Sequence, residues 1–83
     1  MTTDRDTLST TVVTLLRAIA PELEADALDF AQPLRRQVDL DSMDWLNFLV
    51  SLSERFGVNI PEADYAQLVS LNNVLNYLQT RGA

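Results

Sequence analysis

Leu8, Val12, Leu15, Leu16 and Ile19 fall at i, i+4, i+7, i+8 and i+11. Side chains at that spacing share one face of an α-helix, so the chain opens with an amphipathic helix. Asp6 or Thr7 is its expected N-cap. The β-branched run Thr10–Thr14 weakens helix propensity without overruling so regular a stripe. Pro21 disfavours helical geometry at Ala20, so the helix ends near there. Residues 22–40 show no sustained period. Acids come first (Glu22, Glu24, Asp26, Asp29), then Phe30, Pro33, Leu34 and Val38 at irregular intervals. That pattern predicts a long loop with room for a helical turn, pinned to the core by Phe30 and Leu34. A loop of this length without structure of its own is uncommon and often functional.

Period returns after Leu40. Asp41 or Ser42 caps a second helix that runs to about Phe56. Leu46, Leu49, Val50, Ser53 and Phe56 give its expected core stripe, and Met43, Trp45, Phe48 and Leu52 add apolar surface around it. The helix is greasier than one buried face requires. Gly57 suits the left-handed residue that ends many helices. Pro61 breaks the chain again, and "EADYAQL" is long enough for one or two helical turns. Ser70 reads as the N-cap of a last helix, with Leu71, Val74, Leu75 and Leu78 at i, i+3, i+4 and i+7 and Gly82 just past its end. Strand patterns, internal repeats and low-complexity segments are absent. The expected fold is all-α: a small four-helix bundle of three main helices and one short helix, with the long loop between helices 1 and 2.

Length adds a limit. The chain has 83 residues, which suits one domain over 1–83 with a flexible end at 1–6. A domain of this size buries about 60% of the surface its unfolded chain exposes and has no room for a deep enclosed active site. Apolar residues make up 47%, too many for a disordered tail. The absence of cysteine excludes disulfides and thiolate metal sites and fits a reducing cytoplasm. The polar start "MTTDRDTLSTT" is not a signal peptide, and no apolar run approaches the roughly 20 residues of a membrane span. Twelve acids against six arginines give a net charge of −6. That disfavours nucleic acid as a partner and favours proteins with basic surfaces. The plainer role of the acid is to keep a small monomer soluble.

One stretch resists a purely structural reading. In "VDLDSMDWLNF" three aspartates crowd around Ser42, and an apolar run follows. A nucleophilic serine needs a base beside it, and this chain has no histidine and no lysine. Ser42 therefore either starts a helix or is itself modified by another protein. At a helix's first turn the free N–H groups and the dipole favour an anion, so a phosphodiester on that hydroxyl is well placed. Asp41 beside it can help hold a metal ion in a partner enzyme during the attachment.

"DLDSMDWLNFLVSLSERFGVNIPEAD" resembles the acyl carrier proteins and related phosphopantetheine-carrying domains. The family's Asp-Ser-Leu or Asp-Ser-Met is matched by Asp41-Ser42-Met43. Its acidic-aromatic helix end and Gly-x-x-Ile-Pro turn are matched by Glu54-Arg55-Phe56 and by Gly57-Val58-Asn59-Ile60-Pro61. Glu62 and Asp64 match the acidic short third helix, and Ser70 onward the capped fourth. The resemblance covers about residues 8–80. It implies a free-standing carrier, not an enzyme. A phosphopantetheinyl transferase attaches 4′-phosphopantetheine from coenzyme A to Ser42, flanked by Asp41 and Met43. The arm's thiol then holds acyl groups as thioesters and presents them to acyl-transferring or acyl-modifying enzymes. A cytoplasmic fatty-acid or polyketide-like pathway is the expected setting.

The departures from the family concern partners. The glycine usual three residues before the serine is Asp39, and three often acidic positions of the second helix are Asn47, Ser53 and Arg55. Asp44 and Glu54 remain as charged docking residues. Trp45 and Phe48 are candidate apolar docking anchors, since buried aromatics dominate interface energetics. Trp45 lies three residues after Ser42 on the same side of the helix, so a cover for the core's end and a rim contact for the arm both suit it. Arg35 and Arg36 read as a solvated loop pair. An aminoacyl or peptidyl carrier, or a helical interaction module that is never modified, are the competing expectations.

Overall fold

In the computed structural model, residues 4–82 are described, and among them the chain forms four α-helices and two 3-10 segments. Helix α1 spans Arg5–Ile19 and buries Leu8, Val12 and Leu16, the heart of the stripe seen in the sequence. Its N-cap is Asp4, not Asp6 or Thr7. Two features draw the helix back to an earlier start. The Leu8 N–H donates to the Asp4 carbonyl at 2.8 Å, which closes the first helical turn there. The Arg5 guanidinium also donates across to Asn76 Oδ1 at 2.8 Å, Gln79 Oε1 at 2.9 Å and Asn72 Oδ1 at 3.3 Å. Residues 5 and 6, grouped in the sequence with a flexible end, are therefore helical, while residues 1–3 lie outside the described residues.

The segment after Pro21 holds a 3-10 turn, Ala25–Ala27, and a single helical turn, α2, Leu34–Gln37. It is pinned from within: Leu34 is fully buried, Val38 and Leu40 nearly so, and Phe30 packs partly buried against the core. Backbone bonds add a second anchor. Asn72 N–H donates to the Phe30 carbonyl at 3.0 Å, and Leu34 N–H donates to the Val69 carbonyl at 2.8 Å. The loop is thus fastened to the start of the last helix.

Helix α3, Ser42–Phe56, packs on α1. It ends at Gly57, whose φ of 64° is the left-handed geometry a glycine adopts without strain. A 3-10 segment, Glu62–Gln67, follows Pro61. Helix α4, Leu71–Thr80, also packs on α1. Ser70 and Asn73 form a reciprocal capping box at its start, and Leu71, Val74, Leu75 and Leu78 are buried as their spacing requires.

The buried face of α3 differs from the sequence expectation. Its centre is Phe48, Leu49 and Leu52, at 0, 1 and 0% exposure. Leu46 and Val50, read as core, are exposed, and so is Met43. Positions 45, 48, 49, 52 and 56 form the stripe that puts both large aromatic rings, Phe48 and Phe56, and the Trp45 indole toward the bundle. Burying aromatic area outweighs burying Leu46 and Val50. Phe48 is accordingly a core residue and offers no surface to a docking partner, a correction to its reading as an anchor. No described helix is long and apolar enough to cross a membrane.

Candidate functional site

The chain enters α3 from an extended Asp41, with Leu40 buried just before it as an anchor. Asp41 Oδ1 accepts from the Asp44 N–H at 2.8 Å, and the Asp41 carbonyl accepts the first helical bond, from Trp45 N–H at 2.9 Å. Asp41 is therefore the N-cap and Ser42 the first helical residue. The cap oxygen comes from the aspartate, so the serine hydroxyl is not consumed by capping. Ser42 is exposed, as are Asp39, Asp41 and Met43. The N–H groups of Ser42 and Met43 precede the first residue able to bond back along the helix. They supply donors, and the helix end supplies positive potential, for an anion on the Ser42 oxygen.

The site has no catalytic apparatus of its own. The chain contains no histidine and no lysine to activate the hydroxyl, and among the described residues no acidic cluster is arranged to hold a metal. An exposed hydroxyl at a helix start, with free backbone donors beside it, fits a phosphodiester-linked group put there by another protein. Asp41 and Met43 flank that hydroxyl in the chain, and both are exposed.

Asp44 is half-buried and Glu54 exposed, and α3 also carries a feature not found from the sequence. Met43, Leu46 and Val50, exposed by 64, 39 and 43%, run along α3 from Ser42 as one apolar stripe. The excess of apolar residues on this helix was the available signal; the phase that decides which of them face outward was not. Trp45 turns the other way. It is half-buried against Phe48, with ring centroids 5.6 Å apart and planes tilted by 42°, and it lines a small surface groove together with Tyr65. Arg35 stands at the same groove, whereas Arg36 is simply exposed.

Comparison with known proteins agrees with this geometry. The family described as "Phosphopantetheine attachment site" matches residues 11–78. An acyl carrier protein of Campylobacter jejuni is 30% identical over 56 residues, covering 68% of this chain and 73% of its own. One from Campylobacter concisus is 28% identical over 60 residues, covering 72 and 78%. The solution structure of a candidate acyl carrier protein from Anaplasma phagocytophilum superposes with a TM-score of 0.80 at 22% identity, over 92% of this chain and 89% of that one. The last match establishes the fold and the first two the family: the chain belongs to the phosphopantetheine-bearing carrier proteins, the acyl carrier proteins among them, and is a carrier of covalent 4′-phosphopantetheine and not an enzyme.

Proposed function

We propose that Ser42 is the attachment point, and that the protein holds acyl groups as thioesters on the arm and delivers them to partner enzymes. The observation that carries this reading is the division of roles at the start of α3. Asp41 caps the helix, which leaves the neighbouring serine exposed and free to be derivatised. The transferase must supply the base that takes the hydroxyl proton, since this chain has none nearby. The chemistry the arm adds is a terminal thiol on a long tether. An acylated form made with a broad-specificity phosphopantetheinyl transferase and an acyl coenzyme A tests the reading. Neutral hydroxylamine should release the acyl group, as it does from thioesters. An acyl group that resists hydroxylamine, or one found on a residue other than Ser42, contradicts it.

The partners fit a specialised fatty-acid or polyketide-like pathway in the cytoplasm, met by a monomeric carrier. Support comes from the surface of α3. Asp44 and Glu54 keep part of the acidic face, but Asn47 and Arg55 are exposed where acids are usual. The exposed stripe of Met43, Leu46 and Val50 lies on the same helix. A dedicated partner would contact that stripe with apolar side chains and read Asp44 and Glu54 at its margins, while Trp45 contributes from the half-buried edge. Met43, Leu46 and Val50 take the place first given to Phe48.

A further inference from the structure

Beside the first turn of α3 lies a surface groove of about 190 Å³, with Trp45 and Tyr65 in its walls and Pro33, Arg35, Leu68 and Val69 around them. Trp45 follows Ser42 by one helical turn, so the groove it lines begins within one turn of the attachment point. The floor belongs to the core, since Leu68 is 2% exposed, whereas Val69 at the edge is 48% exposed and leaves the groove open. Trp45 is held from behind by Phe48, which is 0% exposed. Arg35 is exposed and makes no ion pair among the described residues. Its Nη2 reaches only the Leu40 carbonyl, at 3.5 Å, which leaves most of its donors unused.

The geometry points to a cargo class: a compact, flat acyl group of benzoyl size, laid against Trp45 and Tyr65 with an acceptor oxygen toward Arg35. This rests on the carrier reading with Ser42 as the attachment point. Volume argues for the size. A cavity of about 150 Å³ holds a benzene ring, whereas pockets for larger ligands run from about 300 Å³ upward, so a long alkyl chain outruns this groove. The walls argue for flatness. Two aromatic side chains gain most from another ring, through offset or edge-to-face contact beyond plain burial. Arg35 argues for an oxygen acceptor, because a guanidinium donates in a planar fork and also stacks on ring faces.

Trp45 is the one tryptophan of the chain, so its emission reports the groove directly. The experiment loads Ser42 with bare, benzoyl- or octanoyl-pantetheine from the matching coenzyme A compounds and checks each by intact mass. The rate of hydroxylamine cleavage is then compared with that of the same acyl-pantetheine free in solution. The benzoyl thioester should be protected roughly two- to tenfold on the protein, with a change in Trp45 emission that the bare arm does not give. The octanoyl thioester should be cleaved at its free rate. Tyr65→Ala, with folding checked by circular dichroism, should abolish the benzoyl protection, and Arg35→Ala, at an exposed position, should reduce it. Equal or greater protection of octanoyl, protection of neither, or the same emission change with the bare arm overturns the inference while leaving the carrier reading intact. No mass gain at the loading step overturns the carrier reading, and this inference with it.

Discussion

Asp41 and Ser42 are neighbours with opposite exposures to mutation. Asp41 accepts a bond from Asp44 N–H at 2.8 Å; replacing it with alanine should cost about 1 kcal/mol of folding stability. Ser42→Ala removes no such bond, so denaturant titration should find it close to wild type and at least as stable as Asp41→Ala. Phe48 gives the larger contrast. Fully buried behind Trp45, it should cost about 3–5 kcal/mol on truncation to alanine. Phe30, only partly buried, should cost less than Phe48 under the same titration. If Phe30→Ala proved the more damaging, the loop would carry more of the core than its exposure indicates. Gly57 has open space around it but a φ of 64°. Gly57→Ala should therefore lose about 1 kcal/mol to backbone strain alone.

At the scale of elements, the 3-10 segment Glu62–Gln67 buries none of its own residues and is fastened to α4 by a polar clasp. Tyr77 hydroxyl donates to Asp64 Oδ2 at 2.6 Å, Arg81 pairs with the same oxygen at 3.1 Å, and the Arg81 guanidinium lies over the Tyr77 ring. Desolvation first, then the bond to Asp64, raises the Tyr77 pKa above its ordinary 10.0, against the opposing pull of Arg81. A raised pKa means the neutral form is favoured in the fold. Its stabilisation is complete below pH 10 and is lost as pH rises through the folded-state value. Tyr77→Phe should therefore flatten the fall in stability above pH 10, seen as the melting temperature at stepped pH; an unchanged fall would place its cause elsewhere. This clasp and the Arg5 fork were invisible in the sequence, since both join residues more than a dozen positions apart through polar side chains that carry no period. The local signals were legible. Ser70 with its apolar run gave α4, Pro21 and Gly57 gave helix ends, and the irregular Phe30 and Leu34 gave a pinned loop. The phase of α3 was not legible, because an apolar excess admits more than one stripe and only packing against α1 selects among them.

For the whole molecule, a bundle of this size offers its partners little beyond one helix face and the exposed serine at its start. The ordered combination of Asp41-Ser42-Met43, Glu54-Arg55-Phe56, the turn from Gly57 to Pro61, the acids Glu62 and Asp64 and the capped helix from Ser70 carried the family resemblance, while the outward stripe of Met43, Leu46 and Val50 required the fold. Exposed ion pairs are worth roughly 0.2–1 kcal/mol each. Restoring acids through a triple Asn47→Glu, Ser53→Glu, Arg55→Glu variant should thus raise turnover by a generic fatty-acid ketosynthase by about tenfold at low salt. Most of that gain should vanish at high salt. Full activity of the wild type, with no gain in the variant, would show that these positions do not choose the partner. Beneath all such questions stands the serine. The most direct test is intact mass spectrometry of wild type and Ser42→Ala after incubation with coenzyme A and a broad-specificity phosphopantetheinyl transferase. The wild type should gain the mass of one phosphopantetheine and the folded Ala variant none; an unmodified wild type, or a modified Ala variant, would contradict the account.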